Sequence, residues 1–338
     1  MKKRYENGFF IAGLLVLAVM VSQLDFAQVW DGVSRAGYWF LAVVVLWFFL
    51  YMFNTAAWWL IIQCLCQDDT DMQKVPVSWL YKVTVSGFAL NYATPGGLMG
   101  GEPYKIMSLA PKTGIKQATA SVFLHTMTHI FSHFWFWLLS CGLYVVTQPT
   151  SPIMAVLLVG VTAFCLLAIC FFQKGYRHGI TVWCMTLLAR FPMIRHKAAP
   201  FFERNAEKLA EIDLLMGKLH GRHPRTFACA VVLELLCRIL SALEIFFILL
   251  VILPSANYLQ CILILAFTSL FANMLFFIPL QLGGREGGFL MSVSGLGMSS
   301  SAGIFVALLV RLRELIWTGI GLFLIKMEKK DARIVEKT

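Results

Sequence analysis

The sequence predicts an all-α polytopic membrane bundle with inverted repeats, made of about six full spans and two oppositely oriented re-entrant helical hairpins. Three observations predict it. Hydrophobic residues make up 59% of the 338 and charged residues only 14%, against about 45–50% and about 25% in soluble domains. The apolar stretches run unbroken for long enough to cross about 30 Å of hydrocarbon, whereas barrel strands alternate apolar and polar over about ten residues. A Pro/Gly motif ending in glutamate occurs twice, once in each half of the chain.

The first apolar run, 9–24, follows Lys2, Lys3 and Arg4, and no small-x-small cleavage site follows Ser22. It reads as a retained span. An acidic-leaning loop at 25–37 leads to the span 38–64, which carries Asn54 and, as interfacial anchors, Trp58 and Trp59. Segment 77–93 is only marginally apolar and ends at Pro95-Gly96-Gly97, where backbone cannot remain helical. Spans at 117–147 and 152–173 follow. Beyond the connector lie a span at 226–253, a segment at 258–280 that runs through Pro279 into Gly283-Gly284, and a last span at 302–325.

The net charge of +10 does not call for nucleic acid, because the charges flank apolar runs or fill one connector, as expected of membrane flanks facing anionic lipid. That connector, 174–225, holds ten Lys/Arg against four Asp/Glu and is placed in the cytoplasm. Parity then puts both termini in the cytoplasm, provided that 77–111 enters from that side and returns to it while 258–300 dips in from the other. Within the connector, Pro200 to His220 sets Phe202, Leu209, Ile212, Met216 and Leu219 at helical spacing, which predicts an amphipathic interfacial helix. The chain reads as one integral membrane domain, with repeat 1 at about 38–147, the basic connector 174–225, and repeat 2 at about 226–326. Nine scattered cysteines fit small core hydrophobes better than a disulfide framework or a zinc knuckle.

The repeated motif carries the functional signal. Asn91 precedes Pro95, Gly96, Gly97, Gly100, Gly101 and Glu102, and Asn273 precedes Pro279, Gly283, Gly284, Arg285 and Glu286. In both copies the glutamate comes seven positions after the proline, and the two glutamates are 184 residues apart. Broken helices leave N–H and C=O groups that hydrocarbon cannot satisfy, so they must face protein or a wet cavity. Glycine lets such backbone approach a ligand, and helix N-termini favour anions. Inverted-repeat transporters use this organisation, with interrupted helices meeting near the midplane.

The stretches Asn91–Glu102 and Pro279–Gly288 resemble the paired glycine-rich signatures of the lysylphosphatidylglycerol synthase transmembrane region family, the flippase-like membrane proteins. The family includes the flippase portion of the multiple-peptide-resistance factor and stand-alone relatives. The resemblance covers about 8–327. It implies handling or translocation of a lipid with a polar headgroup, and no aminoacyl transfer, since the soluble synthase domain is missing from this sequence. The family often has an arginine in the span after the first motif, where this chain reads Leu124-His125-Thr126-Met127; after the second, Val310-Arg311-Leu312-Arg313-Glu314 fits better.

Ionisable groups at membrane depth cost at least about 2.5–3.5 kcal/mol each, so each needs a partner or a role. Glu234 with Arg238, and Arg311 with Glu314, are spaced to neutralise each other along one helix face, with Glu244 further on. Either such pairs hold the bundle together, or Arg238, Arg311 or Arg313 holds a lipid phosphate, with Arg285 a further candidate and Glu102 and Glu286 as counter-charges or proton carriers. His125, His129 and His133 form a stripe at i, i+4 and i+8, read as a hydrated wall or proton path, as helix packing, or as a metal site.

The expected function is therefore a lipid flippase or transporter of the bacterial cytoplasmic membrane. It would act on a phospholipid or lipid-linked headgroup, with anionic lipid at the cytoplasmic face and room for homo-oligomerisation. No catalytic residue, cofactor or resident metal is expected. The competing classes are an intramembrane metal-dependent lipid-modifying enzyme built on the histidine stripe and a non-transporting lipid-binding scaffold.

Overall fold

A computed structural model of the protein describes residues 26–67, 74–93, 100–178, 223–274 and 284–335. The apolar run 9–24, the connector helix expected at 200–220, and Pro95, Gly96, Gly97, Pro279 and Gly283 lie outside the described residues. Within them every element is a helix: α1 Phe26–Ala36, α2 Tyr38–Leu65, α3 Val77–Ala93, α4 Gly101–Thr113, α5 Ile115–Thr147, α6 Pro152–His178, α7 Pro224–Leu250, α8 Tyr258–Met274, α9 Gly284–Gly295 and α10 Ser300–Val335. The protein is a multi-pass helical membrane protein.

Three helices combine the length and the apolar composition of a span: Tyr38–Leu65, Ile115–Thr147 and Pro152–Gln173. Helices α7 and α10, of 27 and 36 residues, extend about 40 Å or more at about 1.5 Å per residue. Their charged residues, Glu234, Arg238 and Glu244 on one and Arg311, Arg313 and Glu314 on the other, are what set them apart from plain apolar spans.

Helix α1 corrects the expectation of a loop at 25–37. Val29, Gly32, Val33 and Ala36 recur at helical spacing, and Ala36 and Val33 pack into the main core cluster. Asp31 and Arg35 pair on the outer face at 2.8 Å. Eleven residues are too few for a hydropathy signal, yet enough for one apolar stripe.

The two halves have matching anatomy. Helices α2 to α5 contain 28, 17, 13 and 33 residues; α7 to α10 contain 27, 17, 12 and 36. Their packing corresponds as well: α3 lies on α10 as α8 lies on α5, α4 on α5 as α9 on α10, and α2 on α5 as α7 on α10. Helix α1 rests on α10, and α6 rests on α5. The corresponding helices α2 and α7 meet at the centre and run antiparallel. Trp39 stacks on Phe247, Trp47 donates to Glu244, and Asn54 reaches Cys237, so residue numbers rise on one helix as they fall on the other. Two copies related by an axis along the helices would instead place this pair parallel.

Each half contains a hairpin of two short helices. In the first, Asn91 meets Gly101 and Gly87 meets Lys105, which makes α3 and α4 antiparallel. In the second, Thr268 meets Gly288 and Ser292, and Phe271 meets Gly287. Glycine at position 101 is required by this approach, because a Cβ there would collide with the Gly87 carbonyl and the Asn91 amide. Gly321 serves α10 in the same way. Its carbonyl accepts from Ser86 Oγ at 3.1 Å, and an added Cβ would lie 2.5 Å from Ala89 Cβ and 2.8 Å from the Val85 carbonyl.

Candidate functional site

Between the halves lies a polar cavity of about 240 Å³, bounded by α2, α3, α5, α7, α9 and α10. It far exceeds the roughly 10–15 Å³ that one water needs. Trp47, Tyr92, His129, Arg238, Arg285 and Glu314 are among its walls.

The charges are partnered across helices. Arg313 grips Glu244 with two parallel bonds, Nε to Oε1 at 2.7 Å and Nη2 to Oε2 at 2.8 Å. Trp47 completes this unit: its Nε1 donates to Glu244 Oε2 at 3.0 Å, and its ring lies 3.7 Å from the guanidinium carbon. Arg285 of α9 pairs with Glu314 of α10, which also accepts from the Tyr92 hydroxyl of α3. Arg311 of α10 pairs with Glu286 of α9. The expected Arg311–Glu314 pairing along one helix is therefore replaced by two crossed pairs between α9 and α10. Residues 285 and 286 are adjacent and leave the helix about 100° apart, so each reaches a different residue of the facing helix.

Glu234 and Arg238 likewise do not settle on each other. Glu234, 1% exposed, receives His129 Nδ1 at 2.8 Å. His125 Nε2 stands 3.2 Å from its other oxygen without hydrogen-bond geometry. Arg238 donates from Nε to Ser132 Oγ at 2.9 Å and from Nη2 to the His129 carbonyl at 3.0 Å. Both acceptors are neutral, so among the described residues this guanidinium lines the cavity without a direct carboxylate clamp.

The histidine stripe divides. His125 and His129 converge on Glu234, whereas the His133 ring meets the edge of His129 and leans on Trp137. Among the described residues no three His, Cys, Asp or Glu side chains meet with the geometry of a metal centre.

The described parts of the two glycine motifs differ in use. Asn91 staples the first hairpin: the Gly101 N–H donates to its Oδ1 at 2.8 Å, and its Nδ2 donates to Glu102 Oε1 at 3.1 Å. Gly100 supplies the carbonyl for the first turn of α4. Glu102 also faces Lys105 at 3.7 Å, and Lys105, 2% exposed, lies over the Phe88 and Trp58 rings. Asn273 instead faces outward and donates to the Ser269 carbonyl at 2.7 Å. Gly284 is buried at the start of α9, next to Arg285.

Several contributors escape sequence reasoning. Lys105 was hidden in a polar stretch, although its i+3 spacing from Glu102 is a signal. Tyr92, Ser132 and Trp47 carry none, since nothing in an aromatic or serine position says which helix will face it. Trp58 corrects the interfacial-anchor reading. It is fully buried and stacked on His125, and its Nε1 donates to Ser121 at 3.4 Å.

No curated protein and no solved structure matches the chain. A family model does, over residues 8–321, from ahead of α1 to within α10, taking in both hairpins and the cavity between them. The chain belongs to the family described as the lysylphosphatidylglycerol synthase TM region.

Proposed function

We propose that the protein is a lipid transporter of the bacterial cytoplasmic membrane, with both termini in the cytoplasm, that moves the headgroup of a phospholipid or lipid-linked substrate through the cavity between its two halves. The observation that carries this reading is Arg238, a guanidinium on the wall of a 240 Å³ polar cavity whose hydrogen-bond partners among the described residues are both neutral acceptors. Guanidinium suits a phosphodiester because its fork matches two phosphate oxygens. Acyl or isoprenoid tails would stay in hydrocarbon, so only the headgroup needs a wet path. Membership of a membrane family broadly consistent with flippase-like function supports the same reading. The protein would translocate its substrate unmodified, with anionic lipid gathered at the cytoplasmic face, alone or as a homo-oligomer.

The test is lipid retention. Wild-type protein purified from membranes carries phospholipid detectable by native mass spectrometry, and Arg238→Gln carries markedly less. Equal retention by the two would remove Arg238 from the site.

A further inference from the structure

The charges around the cavity do not balance once an anion enters it. Four carboxylates have a basic partner: Glu244 with Arg313, Glu314 with Arg285, Glu286 with Arg311, and Glu102 with Lys105. Among the described residues, the remaining acid and base that face the cavity, Glu234 and Arg238, cancel in net charge while the imidazoles beside them carry none. A phosphodiester seated at Arg238 would then add one uncompensated negative charge to a buried site. Such a charge costs several kcal/mol unless something neutralises it.

The geometry holds a place for the neutralising charge. Among the described residues, Glu234 Oε1 and His125 Nε2 are both buried without a hydrogen-bond partner, and they stand 3.2 Å apart, within ion-pair distance of each other. Orphaned buried polar atoms are rare and call for an explanation. A second proton on His125 makes this contact an ion pair, while His129 Nδ1 keeps its own bond to Oε2 at 2.8 Å.

We propose that Glu234, His125 and His129 form a proton-binding site that takes up one proton as an anionic headgroup enters at Arg238, so that lipid movement is proton-coupled. The proton comes from water in the cavity, and no bond in the lipid forms or breaks. This rests on the headgroup reading above and adds its energy coupling. The groups facing the site are Arg238 and Cys237 of α7, His133 of α5 edge-on to His129, Asn54 of α2, and Lys105 with Glu102 of α4 beyond the Trp58 and Phe88 rings. Across the cavity stand Tyr51, Tyr92, Arg285, Arg313 and Glu314. By reciprocity, a proton that favours the anion is itself bound more tightly when the anion is present.

The experiment measures binding of dihexanoyl phosphatidylglycerol to the full-length protein by titration calorimetry at pH 6 and pH 8, in buffers of differing ionisation enthalpy. Wild type takes up about one proton per lipid, and its affinity falls by up to about tenfold per pH unit across the uptake range. In Glu234→Gln the negative charge is gone before the lipid arrives, so binding persists at pH 8 with no proton uptake. His125→Gln, a second and sterically mild variant, also loses uptake, but its affinity is weak at both values. Wild-type binding without uptake, or undiminished uptake by folded Glu234→Gln, overturns the inference and leaves the headgroup reading standing. Absence of wild-type binding at both pH values overturns the two together.

Discussion

Arg313 of α10 and Glu244 of α7 form a two-pronged ion pair in the protein interior, with both side chains almost fully buried and the Trp47 ring 3.7 Å from the guanidinium. Three helices from both halves meet at this pair. A charge in hydrocarbon is tolerated only with such partners, so the pair explains how α7 and α10 can be charged and still lie inside a membrane bundle.

Removing Glu244 takes both hydrogen bonds from the buried Arg313 guanidinium and leaves it only the longer contact to Glu314 at 3.9 Å. Glu244→Ala should therefore destabilise the protein by about 3–5 kcal/mol, read as a lower thermal midpoint in detergent. The double variant Glu244→Leu/Arg313→Met should recover much of that loss, because two apolar side chains leave no isolated charge. Equal stability of wild type and Glu244→Ala would show that the pair is not structural.

The crossed ion pairs between α9 and α10 predict a charge-reversal rescue. Arg285→Glu places three acids, with Glu286 and Glu314, at one helix contact and should unfold or strongly destabilise the second hairpin. Arg285→Glu/Glu314→Arg restores opposite charges and should regain a substantial part of the stability, less what Tyr92 loses as a donor to Glu314. Failure of the double variant to improve on either single variant would contradict this pairing.

Gly321→Ala tests the close approach of α10 to α3. Its new Cβ would lie 2.5 Å from Ala89 Cβ and 2.8 Å from the Val85 carbonyl, and overpacking of this kind costs about 1–3 kcal/mol. Ala89→Gly in the same chain should relieve the first clash but not the second, so the double variant should recover only partly. Thermal unfolding of the three variants separates these contributions.

Asn91→Ala should release the first hairpin. It leaves the Gly101 N–H and one Glu102 oxygen without their partner, at about 1–3 kcal/mol. A cysteine placed at Gly100 should react faster with a water-soluble maleimide in Asn91→Ala than in the parent. Unchanged labelling would mean that the staple does not hold the hairpin closed. Asn273→Ala, whose amide bonds only within its own helix to the Ser269 carbonyl, should have a smaller effect on the second hairpin.

Much of this architecture is legible in the sequence because hydrocarbon imposes it. Continuous apolar runs mark α2, α5 and α6 to within about five residues at each end, and the paired Pro/Gly motifs lie just past the described ends of α3 and α8. Helix α1 was not legible as a helix, since eleven residues with one ion pair produce little hydropathy contrast. Partner choice within the site was the larger gap. Spacing along one helix suggests that Arg311 should neutralise Glu314, but spacing is silent about which helix lies opposite, and Glu286 and Arg285 offer better-placed charges from α9. The histidine stripe shows the same limit: three residues with identical spacing divide because Glu234 faces only two of them.

Exchange of lipid between leaflets reads out the role of Arg238 in the cavity. In proteoliposomes carrying a fluorescent phosphatidylglycerol, wild-type protein should accelerate exchange between leaflets over protein-free vesicles. Arg238→Gln, folded and equally reconstituted, should be slower by about tenfold or more, the effect of losing a charged hydrogen bond. Equal rates for wild type and Arg238→Gln, or a wild-type rate no higher than that of empty vesicles, would contradict the account.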